Sequence, residues 1–186
     1  MSDPRIVRQR PGPRGARLGE MLRVDHAGEY GAVQIYRGQR AVFDALPHKA
    51  ETADAIREME DGEVEHLKTF DALLAERGMR PTALAPLWNA AGFGLGAVTA
   101  LMGEKAAMAC TAAVEEVIEQ HYAAQAEELD AVEPELAETV RKFREDELGH
   151  KNEAEARGAE EAPGYGLLKA AIQLGCRAAI RLSEKI

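Results

Sequence analysis

Aromatic side chains are scarce in this chain. One Trp, four Tyr and four Phe make up 5% of its 186 residues, and no stretch alternates β-branched with polar residues over the length of a strand. Together these absences exclude a β-sandwich or barrel. Cysteine is also short: Cys110 and Cys176 stand in neither a CxxC pair nor a zinc spacing, and one possible pair is no disulfide framework. Basic charge is in deficit, with a formal net charge of -9, which argues against a nucleic-acid partner. No glycine-rich dinucleotide fingerprint is present. The sequence opens on no apolar leader, which argues against a secretory signal, and contains no run that makes a secure membrane span.

What is present suits amphipathic helices around one core: charged residues are 30% of the chain, and Ala and Leu are plentiful. Residues 1–17 carry five Arg against Asp3 and read as a disordered basic arm, with residues 18–186 as a single domain. Breakers divide the rest into helices of about Arg17–Leu46, Lys49–Arg77, Pro86–Met102, Glu104–Leu129 and Pro134–Arg157, with a sixth after Pro163. The third of these contains no charge at all.

Four of the helices have an informative buried seam. A core-facing helix repeats its inner positions at steps of three and four. The second helix then reads Ile56, Met59, Glu63, His66, Phe70, Leu73, and the fifth reads Leu136, Val140, Phe143, Glu147, His150. Sampled every seven residues, the first reads Leu22, Glu29, Tyr36, Phe43 and the fourth reads Leu101, Met108, Glu115, Tyr122, Leu129. The pattern repeats: Glu-x6-Tyr occurs at Glu29 and Glu115, and Glu-x-x-His at Glu63 and Glu147. This predicts a duplicated helical hairpin, with the uncharged third helix as the crossover.

Four ionised carboxylates in an apolar seam are unfavourable without compensation, and the seams supply no Lys or Arg. Two divalent cations resolve the conflict. Glu29, Glu63, His66, Glu115, Glu147 and His150 offer oxygen and neutral nitrogen donors suited to Fe or Mn. One Glu from each of two helices, with Glu-x-x-His from each of the other two, is the ligand pattern of ferritin-like di-metal bundles. Glu60, Glu65, Glu116, Glu119, Glu145 and His48 read as solvated positions. Tyr36 and Tyr122 read as core with a hydroxyl partner, and Tyr122 with its neighbour His121 is a candidate proton or electron relay. Asp25 and His26, just before Glu29, are candidates to orient a ligand His.

The sixth helix carries Leu167, Leu168, Ile172, Leu174, Ile180 and Leu182, with Lys169, Arg177 and Arg181 beside them. A basic amphipathic helix of this kind suits a membrane interface, joined by the uncharged third helix; the alternative is that both elements cap the bundle or form a dimer contact.

Several runs resemble the demethoxyubiquinone hydroxylase family: RVDHAGEYGAVQIYRGQ (23–39), EVEHLKTF (63–70), ACTAAVEEVIEQHY (109–122), KFREDELGH (142–150) and the C-terminal stretch 164–186. The similarity spans nearly everything after Leu18. It implies a ferritin-like, all-α four-helix bundle with two iron ions on the six residues above. It also implies hydroxylation by O2 of the ring of a polyprenylated demethoxyubiquinol, whose tail enters between the third and sixth helices. The reductant is expected to be external, NADH acting through the quinone. A membrane surface, a lipid-binding accessory protein of the pathway and a homo-oligomer are the expected partners. The expected location is the cytoplasmic face of a bacterial membrane, or the mitochondrial inner membrane for a processed chain. The competing reading is a ferroxidase for iron storage, since the same six ligands would serve it.

Overall fold

The computed structural model describes residues 13–186, so residues 1–12 of the expected arm lie outside it, while residues 13–17 form the first turns of a helix. Six helices follow in order: α1 (Pro13–Phe43), α2 (Ala50–Glu76), α3 (Ala85–Leu101), α4 (Glu104–Leu129), α5 (Pro134–Ala156) and α6 (Tyr165–Ser183). There is no strand among the described residues. Proline sits in the first turn of α3 and α5, where its missing N–H loses no bond. Gly78, at φ 63°, ends α2: its N–H reaches Ala75 O at 3.1 Å and the Met79 N–H reaches Leu74 O at 2.9 Å, a Schellman closure. The first helix stops at Phe43, earlier than expected, because the chain turns at Asp44–Ala45 before a short 3₁₀ segment at Pro47–Lys49.

Helices α1 and α2 form one hairpin and α4 and α5 the other. The crossover α3 lies along α1, and α6 lies on α4 and α1. With partners on several sides, α4 is buried nearly all round through its first half, where Ala106, Ala107, Ala109, Ala112 and Ala113 let its neighbours come close. The expected seam residues Leu22, Phe43, Ile56, Phe70, Met108, Leu129 and Val140 are all buried. Leu101 is not: it ends α3 rather than beginning α4, and is 74% exposed.

Glycine sets how closely α3 approaches α1. A Cβ on Gly38 would collide with the backbone carbonyl of Phe93, and one on Gly96 with that of Ile35. The two backbones touch, as small residues allow. The outer surface of α3 instead shows Leu87, Phe93 and Val98 to solvent, and that of α6 shows Leu167, Leu174 and Leu182.

Candidate metal centre

The duplicated hairpin brings its four carboxylate-bearing seams to one level of the bundle. Glu29, Glu63, Glu115 and Glu147 are each at most 1% exposed, and His66 is 4% exposed. Their side chains form two overlapping groups. Glu29, Glu63, His66 and Glu147 make one, and Glu63, Glu115, Glu147 and His150 the other; within each, one potential ligand atom per residue lies within 4.8 Å of the rest. Glu63 and Glu147 belong to both. His66 Nδ1 is 3.2 Å from Glu147 and 3.6 Å from Glu29, and His150 Nδ1 is 2.8 Å from Glu63.

These approaches do not satisfy the groups. Glu29 Oε2, both oxygens of Glu63, Glu115 Oε2, both oxygens of Glu147 and the Nδ1 atoms of His66 and His150 are buried without a hydrogen-bond partner. Unpaired buried polar atoms are rare in native proteins because each loses its hydration. Here they all face one another, in an oxygen-rich set with two nitrogens. That is the donor set of a hard-to-intermediate divalent pair such as iron, and the residues fit it.

The electrostatics agree. Burial, then the charges of Glu147 and Glu29, push the Glu63 carboxyl well above its ordinary range. Burial, then Glu147 and Glu63, do the same to Glu115. Burial opposes charge on His66, yet the carboxylates of Glu147, Glu29 and Glu63 prevail and raise its protonation. His150 is raised too, against its own burial, chiefly by Glu147 and Glu115. Glu147, although buried, is held down to about 2 by His150 and His66. Without metal, protons occupy the cluster; divalent ions would displace them.

The tyrosines act crosswise. Tyr36 of the first hairpin donates to Glu115 of the second at 2.5 Å, and Tyr122 of the second donates to Glu29 of the first. Burial keeps both phenols protonated well above their ordinary range. His121 does not touch a ligand; its Nε2 lies 3.3 Å from Asp25, which also accepts from Gln125 at 2.9 Å. Neither Asp25 nor His26 orients a ligand imidazole, because each is engaged one turn along α1: Asp25 with His121 and Gln125 of α4, and His26 with Asp71 of α2 at 3.0 Å. The group on His66 Nε2 is Asp146, at 3.2 Å. Sequence reading missed it, although its place immediately before Glu147 was the available signal. Glu60 is corrected as well: it is buried, bound by Arg37 at 3.0 Å and Arg40 at 2.6 Å from α1.

Beside the cluster lies an apolar cavity of about 500 Å³. Its walls come from α1 (Gly28, Gly31, Ala32, Ile35), α3 (Trp88, Gly92, Leu95), α4 (Val114, Ile118) and α6 (Ile172, Cys176, Ile180). Gly28 and Val114 directly precede Glu29 and Glu115, so the chamber reaches the same level of α1 and α4 as two of the carboxylates, although no cluster residue lines it.

Against known proteins, residues 16–183 match the family model described as "Ubiquinone biosynthesis protein COQ7". The chain belongs to this family. A relative named 3-demethoxyubiquinol 3-hydroxylase from Rhodospirillum rubrum is 48% identical over 176 residues, covering 95% of this chain and 81% of the relative. The NADPH-dependent 3-demethoxyubiquinone 3-hydroxylase, mitochondrial, of Homo sapiens is 47% identical, covering 92% of this chain and 79% of the relative. The 5-demethoxyubiquinone hydroxylase, mitochondrial, of Saccharomyces cerevisiae is 38% identical, covering 91% of this chain. Membership in the COQ7 family thus joins an orphaned carboxylate–imidazole cluster to an apolar chamber large enough for a ligand.

Proposed function

We propose that this chain hydroxylates the ring of a polyprenylated demethoxyubiquinol with O2, using two iron ions held by Glu29, Glu63, His66, Glu115, Glu147 and His150. The carrying observation is the set of unpartnered ligand atoms beside an apolar chamber. A storage site needs a polar route for cations; this chamber suits a ring with a hydrocarbon tail. The names of the relatives support the same substrate.

Iron bound there would supply the activation of O2. The chain does the rest. Glu63 and Glu147, common to both groups, would be shared between the ions. Tyr36 and Tyr122 hold Glu115 and Glu29 in place by hydrogen bonds from across the bundle. Asp146 accepts from His66 Nε2, which turns Nδ1 inward. The apolar walls exclude water and leave the ring facing the carboxylate cluster. Small residues at Gly28, Gly31 and Ala32 keep that approach open. The electrons come from outside the chain, from a nicotinamide nucleotide: relatives are named NADPH-dependent, against the NADH expected above, and this sequence has no dinucleotide fingerprint of its own.

We place the enzyme at a membrane surface, peripherally. No helix among the described residues is long and apolar enough to cross a membrane. The exposed leucines of α3 and α6, with Arg177, Arg181 and Lys185 close by, suit an anionic interface. Because α6 also walls the chamber, its deletion would damage the core, and Leu174→Glu is the cleaner probe. Liposome binding should fall; binding equal to that of the wild type would remove α6 from the interface.

Iron-loaded protein given a demethoxyquinol, a reductant and labelled O2 should yield a ring-hydroxylated product carrying the label. Rapid catalytic Fe(II) oxidation without labelled product would replace this reading by the ferroxidase.

A further inference from the structure

We propose that divalent metal reaches the cluster through the side of the bundle between α2 and α5, where four exposed carboxylates surround Gly62 and His150. The inference rests on the reading of the six residues as a metal centre and assigns that centre its loading port, whatever reaction follows.

A four-helix bundle has four sides, and three of them are unsuited to a hydrated cation. The α1–α4 side is covered by α3 and α6 and holds the apolar chamber. A dication entering there would shed its water against walls that offer it no ligand. Between α1 and α2, Arg37 and Arg40 reach across to Glu60 at 3.0 and 2.6 Å. Between α4 and α5, Arg144 reaches across to Glu119 at 2.6 Å. On both flanks a cation meets guanidinium groups first. The α2–α5 side is left uncovered, because α3 lies along α1 and α6 lies on α4 and α1.

On that side the cluster also has its thinnest cover. Gly62 puts no side chain over its neighbour Glu63, and the His150 side chain is 16% exposed, against 5% for His66 and 0% for Glu63 and Glu147. His150 is the less tethered of the two imidazoles. His66 is stacked on Phe143, with ring centroids 3.9 Å apart, and bonded to Asp146. His150 meets Tyr36 edge-on at 6.4 Å, and its Nδ1 makes no hydrogen bond. Rotation of this one ring uncovers Glu63 and Glu147, whose four oxygens are buried and unpartnered.

Negative charge gathers at the same place. Glu58 and Glu65 stand four before and three after Gly62, and Asp146 and Glu153 four before and three after His150, so each pair shares a helix face with the port. All four are exposed. Because Gly62 faces His150 and His66 faces Asp146, the helices run antiparallel, which sets Glu58 with Glu153 on one side of the port and Glu65 with Asp146 on the other. Lys68 and Arg157 offset Glu65 and Glu153, so of the four carboxylates two remain in excess. Such a field concentrates cations and raises their association rate. The port opens only past a ligand and ends at ligands. It therefore admits an ion that stays, and is no channel for iron in transit to a store.

The probe is Co(II), whose visible bands develop as it takes carboxylate and imidazole ligands, mixed with metal-free full-length protein. Glu58→Gln/Glu153→Gln removes one charge from each helix without touching a ligand. Uptake should slow by about three- to tenfold at low salt, the difference should shrink as salt is raised, and the end point should stay at about two ions per chain. Glu76→Gln/Glu127→Gln removes the same charge at the C-terminal ends of α2 and α4, beyond a Debye length from the port, and should leave the rate within about twofold of the wild type. Equal slowing in both pairs would make the effect one of net charge and overturn the port. An unchanged rate in Glu58→Gln/Glu153→Gln would overturn it too, while leaving the centre in place. Protein that takes up no Co(II) would remove the metal centre and the port with it. Because uptake is read without turnover, charge-dependent loading in a protein that fails to hydroxylate a demethoxyquinol would keep the port and remove the functional reading.

Discussion

The two hairpins of the bundle carry the same ligands but treat their histidines differently. Gly62 and Asp146 occupy equivalent places, each immediately before a shared Glu, and each faces the imidazole of the opposite hairpin. Asp146 accepts from His66 Nε2 at 3.2 Å. Gly62 offers only backbone, and a Cβ there would stand 3.3 Å from His150 Cε1 and Nε2. Accordingly the His66 side chain is 5% exposed and that of His150 is 16% exposed. Duplication supplies symmetry in the ligands, while the next residue along breaks it. One candidate metal position has an imidazole whose far nitrogen is fixed by a carboxylate; at the other, the far side of the imidazole meets only the backbone at Gly62.

The comparison breaks most completely at the shared carboxylates. Glu63→Ala should lose both iron ions, because Glu63 belongs to both groups, whereas Glu29→Ala should retain about one per chain. Metal analysis of the purified variants checks this; one ion retained in Glu63→Ala would end the shared role. Next comes Asp146→Gly, which makes the two positions alike. It should weaken the ion on the His66 side by roughly 10–100-fold, as losing the partner of a ligand His does elsewhere. Titration of metal-free protein with Fe(II) should then show two similar affinities.

Gly62→Ala tests the other half. The imidazole of His150 must give by a few tenths of an ångström, so the ion on that side should weaken by less than about tenfold, with the His66 side unchanged.

The smallest effect concerns protonation in the metal-free protein. The raised pKa of Glu63 gives stability that is full below its unfolded value and is lost as pH rises. The depressed pKa of Glu147 gives stability present above the unfolded value and lost as pH falls toward about 2. At pH 8, then, Glu63→Gln should raise Tm and Glu147→Gln should lower it, each by a few degrees, or ~1 kcal/mol in a chain of this size. Shifts of the same sign would mean that the two carboxylates share one environment.

The six cluster residues were legible in the sequence because an amphipathic seam advertises burial, and a buried carboxylate without a cation demands an explanation. The all-helical bundle and its crossover were legible from the same period. What escaped depended on which helix stands opposite. Glu60 looked solvated because its partners, Arg37 and Arg40, lie on α1 and are not encoded near it. Asp25 and His26 looked like ligand supports because they share a face of α1 with Glu29, but they stand about one helical turn, ~5 Å, along the axis from it, where they meet His121 and Gln125 of α4 and Asp71 of α2 instead. Asp146 was overlooked because it faces away from the seam of its own helix and meets His66 from the next one.

The crosswise tyrosines bear on how the chain reaches its native state. Tyr36 and Glu115 are 79 residues apart, and Tyr122 and Glu29 are 93 apart. An antiparallel helical hairpin ordinarily closes through local contacts and folds fast, but neither hairpin here can complete its own half of the cluster. The last ordering step therefore joins the two hairpins across the α3 crossover, and it is this step that takes the four carboxylates out of water. Refolding should be slower than the helix content alone suggests, and the two hairpins should unfold as one cooperative unit rather than as independent pieces.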